Sequence, residues 1–499
     1  MIILSGQIAD YKGFYLSGNL KKDITFFKDI FNKDSVLRVK NLKVRNCENL
    51  DCALIYMDGM VDSEQVNQAV IRPLLTNNAV NDSETIPEYI STQLLFARDT
   101  KESSNIADIL SGILYGEVLI LIENSKTAVL TDLKGFKTRG ISEPQEERVL
   151  QGPREAFEEA AMFNLAMIRR KLKTPDLCTE MITVGRRTST MVFICYLDSL
   201  ADSKMVERLK NKIKKIDIDG ILDSNYIAEI VKDNKYSFFK TTGSTERPDI
   251  VAARLLEGRI AVVVDGTPVV LTLPYLFSEN FQSDEDYYLN FWVSSVGRLL
   301  RYFCFFMAIS IPALFIALTS FHTELLPTSL AVAVEKLRGG VPFSPFTECI
   351  LMLFVFEILR ETGLRMPQSL GHALSIVGGL VVGQAAVDAR IISTPVLIII
   401  AISAVSGLMI PRLKGAIFYL RIIFLSTAAF FGIFGFIILL STTVLHIISL
   451  SSFGVDYTIG LKSFDYQSLK DTVFRAPWFK MKKRPFFNQN KTRKKEGQQ

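Results

Sequence analysis

Along this chain the hydrophobic pattern changes character once. Up to Trp292 apolar and charged residues mix in short runs, whereas Leu299 to Leu450 is dominated by Leu, Ile, Phe, Val and Ala. The first region predicts a soluble half. The second predicts a membrane half, because a hydrocarbon core of roughly 30 Å takes about 20 apolar residues of helix. Within the soluble half, Ala53 to Met57 predicts a strand that gives way after Asp58-Gly59 to a helix entered at Asp62. "SSNIADILSGILYGEVLILIENSKTAVLTDL" predicts a helix stopped at Gly116, a strand from Val118 to Ile122, a turn at Asn124-Ser125 and a second strand. Such alternation makes a compact α/β unit. A second unit opens with a helix after Gly152-Pro153. Its early Glu155, Glu158 and Glu159 and its late Arg169, Arg170 and Lys171 suit the helix dipole. Strands over Glu180 to Gly185 and Met191 to Tyr196 follow, then a hairpin joining Arg259–Val264 to Val269–Leu273 through Asp265-Gly266-Thr267-Pro268.

The expected architecture is an α/β soluble N-terminal half of two subdomains, 1–143 and 144–290, then an α-helical polytopic membrane domain over 291–450 and a basic C-terminal tail over 451–499. Five apolar segments stand out in the membrane half: Leu299–Phe321, Phe346–Leu359, Ser369–Val387, Pro395–Ile410 and Ile417–Ser449. Arg298 and Arg301 at the entrance of the first place the soluble half in the cytoplasm by the positive-inside rule. Five crossings would leave the basic tail outside, so one segment is expected not to cross. The weakest is Phe346–Leu359, where Glu357, Arg360 and Glu361 form a candidate ion-pair cluster at helical spacing, either on a surface-lying helix or buried at a subunit contact. Arg412, Lys414 and Arg421 argue against this, since four crossings leave them outside.

Composition adds little to that picture. The net charge of +5 is uneven, with eight Lys or Arg and one acid, Glu496, in the last twenty residues. A solvated, lipid-leaning tail accounts for it, and no aromatic-basic pattern points to nucleic acid. The six cysteines make no CxxC pair and read as buried free thiols. No phosphate loop, dinucleotide motif or zinc motif is present, and "DIDGILDSNYIAE" carries its glycine at the fourth loop position where a calcium loop needs it at the sixth. Neither cofactor nor enzymatic activity is expected.

The stretches "QGPREAFEE", "NLAMIRR", "TERPD", "EGRIAVVVDGTPVVL", "FHTELLPTSLAVAV" and "GLRMPQSLGHALSIVGGLVVGQAAVDARIIS", in this order, resemble the A subunit of GerA-type spore germination receptors from about Ser103 to Phe453. The resemblance implies residence in the spore inner membrane and a complex with a transporter-like B subunit and a lipoprotein C subunit. It also implies that nutrients such as amino acids or sugars trigger release of monovalent cations, with the A subunit acting as an oligomeric channel. A secondary transporter and a signal-transducing membrane scaffold are the alternatives. The first would carry paired repeats, and no internal repeat is visible in the sequence. The second needs no polar residues inside an apolar helix, yet Ser375 to Arg390 has them.

On a helix from Ser369, the residues His372, Ile376, Leu380, Gln384 and Asp388 recur every fourth position among small residues. Each step of four drifts about 40°, so Ile376, Leu380 and Gln384 can share one face. Around an axis of several copies, Ile376 and Leu380 would form an apolar gate, while Gln384 and Asp388 met water and an Asp388 ring favoured cations. In the rival reading Leu380 is one more lipid-facing or core leucine, and Asp388 pairs with Arg390. Gly379 and Gly383, four apart, offer close helix packing, between copies or within one chain.

Overall fold

The computed structural model describes residues 7–31, 33–44, 50–76, 86–97, 99–135, 144, 147, 149, 151–365, 379, 381–459, 471–481 and 484. Ten strands form two five-stranded antiparallel sheets. The first contains β1 (Leu37–Val44), β2 (Leu50–Met57), β3 (Thr100–Ser103), β4 (Glu117–Ile122) and β5 (Ala128–Asp132), in the spatial order β1-β2-β4-β5-β3. The second contains β6 (Leu177–Val184), β7 (Thr190–Leu197), β8 (Gly243–Thr245), β9 (Ile260–Val264) and β10 (Val270–Leu273), in the order β6-β7-β9-β10-β8. The two wirings are identical. The N-terminal half is therefore two copies of one α/β unit in tandem, a repeat that the hydrophobic pattern does not announce.

One stretch retains the repeat in its residues. "IYMDGMVDSEQV" at 55–66 and "CYLDSLADSKMV" at 195–206 lie 140 residues apart and share Tyr, Asp, Asp, Ser and Val at matching positions. The shared residues have shared tasks. Asp62 and Asp202 each cap the helix that follows, accepting from the backbone N–H of Glu64 and Gln65 in one copy and of Lys204 in the other. Val66 and Val206 are buried beneath their sheets. Gly116 and Gly258, at φ 94° and 86°, turn the chain from a helix into the central strand of each copy, a conformation that side-chain-bearing residues resist.

The central strands read as unbroken apolar runs because helices cover both faces of each sheet. In the first copy α1 (Leu20–Ile30) and α2 (Ile106–Tyr115) pack on Ala53, Ile55, Leu119 and Leu121, while Val66, Val70 and Leu74 pack on Leu54, Val118 and Ile120. In the second copy α3 (Ala161–Lys171) covers one face, and α4 (Ser203–Lys214) and α5 (Ser224–Val231) cover the other. A further helix, α6 (Pro248–Leu256), joins α3 on its face. The helix expected to open after Gly152-Pro153 begins only at Ala161. Glu155 lies ahead of it and folds back to pair with Arg170 and Lys171 at 3.1 Å each. The two copies meet at Asp34, which bridges to Thr179 of β6 and forms a buried ion pair with Arg169 of α3. Five cysteines are described, all free and buried. Burial pushes the thiols of Cys52, Cys178 and Cys195 up to about 12, leaving them protonated and unreactive.

The helical half begins with α7 (Phe291–Ser320), followed by α8 (Thr328–Arg338) and α9 (Pro345–Arg365). Residues 381–388 are helical, and α10 (Thr394–Leu408) and α11 (Lys414–Ser449) complete the set. Among the described residues two segments are long and apolar enough to cross a membrane, Phe291–Ser320 and Pro411–Ser449. The second is not a single rod. At Gly432 the backbone takes φ 60° and ψ −143°, and the chain folds back on itself. The rings of Phe424 and Phe436 lie 5.5 Å apart, whereas twelve residues of unbroken helix would separate them by about 18 Å. Tyr419 and His446, near opposite ends of α11, both lie beside Phe238. A side chain on Gly435 would strike the carbonyl of Thr427. The run Ile417–Ser449 is thus two antiparallel arms.

This reversal turns the last of the five apolar segments into two. The segment expected not to cross, Phe346–Leu359, is packed into the bundle, with Cys349, Met352 and Leu353 of α9 buried against Ile316, Val396, Ile400 and Leu425. The charges of α9 are accommodated because they find partners inside the chain. Glu348 is fully buried and accepts from both the N–H and the hydroxyl of Ser393, at 2.8 and 2.6 Å.

Candidate functional site: the junction and the bundle

The segment Pro274 to Tyr287, which follows the last strand of the second copy, is where the soluble and helical halves are joined. Of its four acids, Glu279, Asp284 and Asp286 each face arginines from elsewhere. Glu279, almost wholly buried, pairs with Arg259 at the head of β9 and with Arg254 of α6 at 2.9 Å, and accepts from the Leu276 N–H at 2.8 Å. Asp286 takes Arg298 at 2.8 Å and Arg301 at 2.9 Å, both from the first turns of α7. Asp284 faces Arg412 at 3.3 Å, just ahead of α11, and Arg412 also reaches Glu147 at 3.2 Å and the carbonyls of Glu279 and Gln282. The chain beyond α11 is tied to the same place. Asp471 accepts from Arg298 and from the Tyr287 hydroxyl, and the N–H of Phe277 donates to the Tyr457 carbonyl.

Both ends of the helical half are therefore held on one side by one segment. Buried charges of this kind persist only when paired and hydrogen-bonded. Burial works against the charge of Arg254, but Glu279 and Glu257 outweigh it and hold its pKa above the usual arginine value. Glu147 moves the other way from an ordinary carboxylate. Burial raises its pKa more than Arg412 lowers it, and Asp284 competes for the same guanidinium.

Deeper in the bundle a second polar site links three helices. Pro312 interrupts α7 and has no N–H, so the carbonyl of Ala308 loses its partner four residues on. That carbonyl accepts instead from Ser403 Oγ of α10 at 2.7 Å and from Arg421 Nε of α11 at 3.0 Å. Arg421 also donates to the Ser403 carbonyl at 3.0 Å, lying so close to Gly407 that a methyl group there would crowd it. Arg421, noted in the sequence only for its charge, has a structural task. It is buried and completes a broken helix.

The sequence-derived candidates are distributed unevenly over this frame. Ile376, Leu380 and His372 lie outside the described residues. Gln384 and Asp388 are exposed, while Gly383, one position before Gln384, is buried against Leu397 of α10. Gly383 thus packs within its own chain, and a side chain on Gly379 would meet open space. Among the described residues Asp388 forms no ion pair, and Arg390 lies beside Gly340 instead. Glu357 and Arg360 do pair, at a groove of about 390 Å³ that Phe418 also lines, whereas Glu361 turns to Arg365 at 2.7 Å. Arg298, Arg301 and Arg412 were noted in the sequence only as charges beside apolar runs, so their ion pairs, Arg254 and Arg259, and the Ala308 site were missed. Pro312 within an apolar run was the one local signal for the latter.

The family model described as Bacillus/Clostridium GerA spore germination protein matches residues 25–487, and the chain belongs to that family. It is 37% identical to spore germination protein KA of Bacillus subtilis (strain 168), over 94% of this chain and 87% of that one. To spore germination protein GerLA of Bacillus cereus it is 31% identical, over 95% and 97% of the two chains. Among solved structures it is similar to the N-terminal domain of the A subunit of the Bacillus megaterium spore germinant receptor GerK3. That match has 32% identity and a TM-score of 0.42, covering 53% of this chain and 98% of that one.

Proposed function

We propose that this chain is the A subunit of a nutrient-responsive germination receptor in the spore inner membrane, acting there as an oligomeric, ligand-gated cation channel beside a transporter-like B subunit and a lipoprotein C subunit. The observation that carries the channel reading is the contrast among polar groups of the helical half. Glu348, Ser403 and Arg421 are bonded inside the chain. Gln384 and Asp388 are instead exposed on a helix whose opposite side packs on α10. In a bilayer such groups require water or another copy. A ring of copies supplies both, with Gln384 and Asp388 toward an aqueous axis, and Ile376 and Leu380 as the gate.

In this reading six helical segments cross the membrane: α7, α9, the helix containing 381–388, α10 and the two arms of α11. An even number puts the tail with the α/β units in the cytoplasm. A tag after Gln499 and the α/β units should both resist protease added outside protoplasts, and cleavage of either overturns the topology. For the channel, purified receptor in planar bilayers should show discrete conductance steps. Leu380→Ala should leak cations without nutrient, and Asp388→Asn should lower cation preference while assembly is kept. Receptor that assembles normally yet stays silent, or a Leu380→Ala spore that holds its ions until nutrient arrives, rules out this gate.

A further inference from the structure

The loop "KDNKYSFFK", Lys232 to Lys240, leaves α5 and reaches the helical bundle. Phe239 is its plug. It is fully buried in the bundle core, with its ring 6.2 Å from Phe277 and 6.0 Å from His446. Phe238 next to it lies 5.9 Å from His446 and 6.4 Å from Tyr419, and Ser237 Oγ is 3.2 Å from His446 Nε2. Tyr419 is the sixth residue of the first arm of α11, and His446 is three residues from the end of the second. At 1.5 Å per residue this fixes the loop about 8 Å along the bundle from its soluble end, the depth of the interfacial layer.

The rest of the loop faces outward. Tyr236 is completely exposed and Phe238 and Tyr419 are partly so, while Lys235 and Lys240 are exposed on either side. The one acid, Asp233, is occupied by Arg208 and Lys212 and offers no repulsion to an anion. Amphipathic aromatic rings flanked by lysines at this level match the lipid headgroup region, where tyrosine is favoured and lysine meets phosphate.

We propose that Lys235–Lys240 is a lipid anchor. Tyr236 enters the headgroup layer of the leaflet facing the α/β units, and Lys235 and Lys240 pair with the phosphates of anionic phospholipid. The anchor would tie the position of the second α/β copy to the membrane surface directly, in addition to the ionic junction. It rests on the bundle lying in a bilayer, so the test includes a reporter for that alone.

The full chain, with Trp292→Phe and Trp478→Phe, receives Tyr236→Trp or, separately, Tyr419→Trp and is reconstituted in phosphatidylcholine liposomes with and without phosphatidylglycerol. The tryptophan at 236 should be quenched by lipids brominated near the head of the acyl chain and shielded from aqueous iodide. Phosphatidylglycerol should deepen the quenching, and Lys235→Glu with Lys240→Glu should abolish that increment. If 419 is quenched by lipid while 236 answers only to iodide, the anchor is wrong and the bilayer placement stands. If 236 is shielded from both quenchers, protein covers it and the anchor is equally wrong. If neither position is quenched by lipid, the bilayer placement itself fails.

Discussion

The two α/β copies share strand order, capping aspartates and turn glycines, yet only the second is joined to the helices through its own last loop. The difference is concentrated at one position. After the turn glycine the first copy has Glu117, a mostly buried acid whose distance of 3.8 Å from the partly exposed Lys134 makes a loose pair. The second has Arg259, buried with Glu279 and Glu257 and donating to the Pro274 carbonyl at 2.8 Å. The framework was kept, and a loose ion pair in one copy corresponds to a buried one in the other. A duplicated domain can thus acquire a coupling role by changing the residues around its last strand, without altering its core.

That comparison can be broken most severely at Glu279. Glu279→Ala leaves two buried arginines short of a carboxylate and should cost about 3–5 kcal/mol. The equivalent perturbation of the first copy, Glu117→Ala, should cost about 1 kcal/mol or less. Thermal unfolding of the full chain in detergent measures both, and equal losses would show that the junction is no more than a surface network. The caps sharpen the likeness instead. Asp62→Ala and Asp202→Ala should each cost about 1 kcal/mol, with hydrogen exchange rising only in the copy that carries the change. The smallest effect concerns pH. Because the pKa of Glu147 is raised in the folded chain, the folded state holds this proton more tightly than the unfolded one. Its contribution to stability is full below the ordinary carboxylate value and falls as pH rises through the raised value. Glu147→Gln should flatten that part of the melting profile, and an unchanged slope would show that Glu147 is ionised like any surface acid.

The strands, the β9–β10 hairpin and the change from soluble to apolar pattern were legible because each depends on residues close in sequence. The tandem repeat was not, since a repeat of shape needs only apolar residues of the right period. Outside 55–66 and 195–206 the copies have diverged around turns such as Gly116 and Gly258. The reversal at Gly432 was hidden for a different reason. In "FFGIFGF" the turn is made by glycine between phenylalanines, with none of the polar residues that mark a turn in water. Of the candidate site, Gln384 and Asp388 could be singled out by their polarity. Arg298, Arg301 and Arg412 of the junction stood out only as charges flanking apolar runs; their pairing could not be read, because partners come from up to 265 residues away, as in Arg412 with Glu147.

The fold at Gly432 also bears on how the protein enters its membrane. An apolar hairpin whose tip is one glycine carries no polar loop to be dragged through hydrocarbon. If both arms cross the membrane, as proposed, they can go in together from the side on which the chain is made, with no segment handed across first. Phe321 and His322, at the far end of α7, lie against that glycine, so a helix inserted earlier in synthesis provides the seat that receives the tip. The order of synthesis and the order of packing coincide, and any side chain added at 432 would be felt first as the hairpin packs against α7.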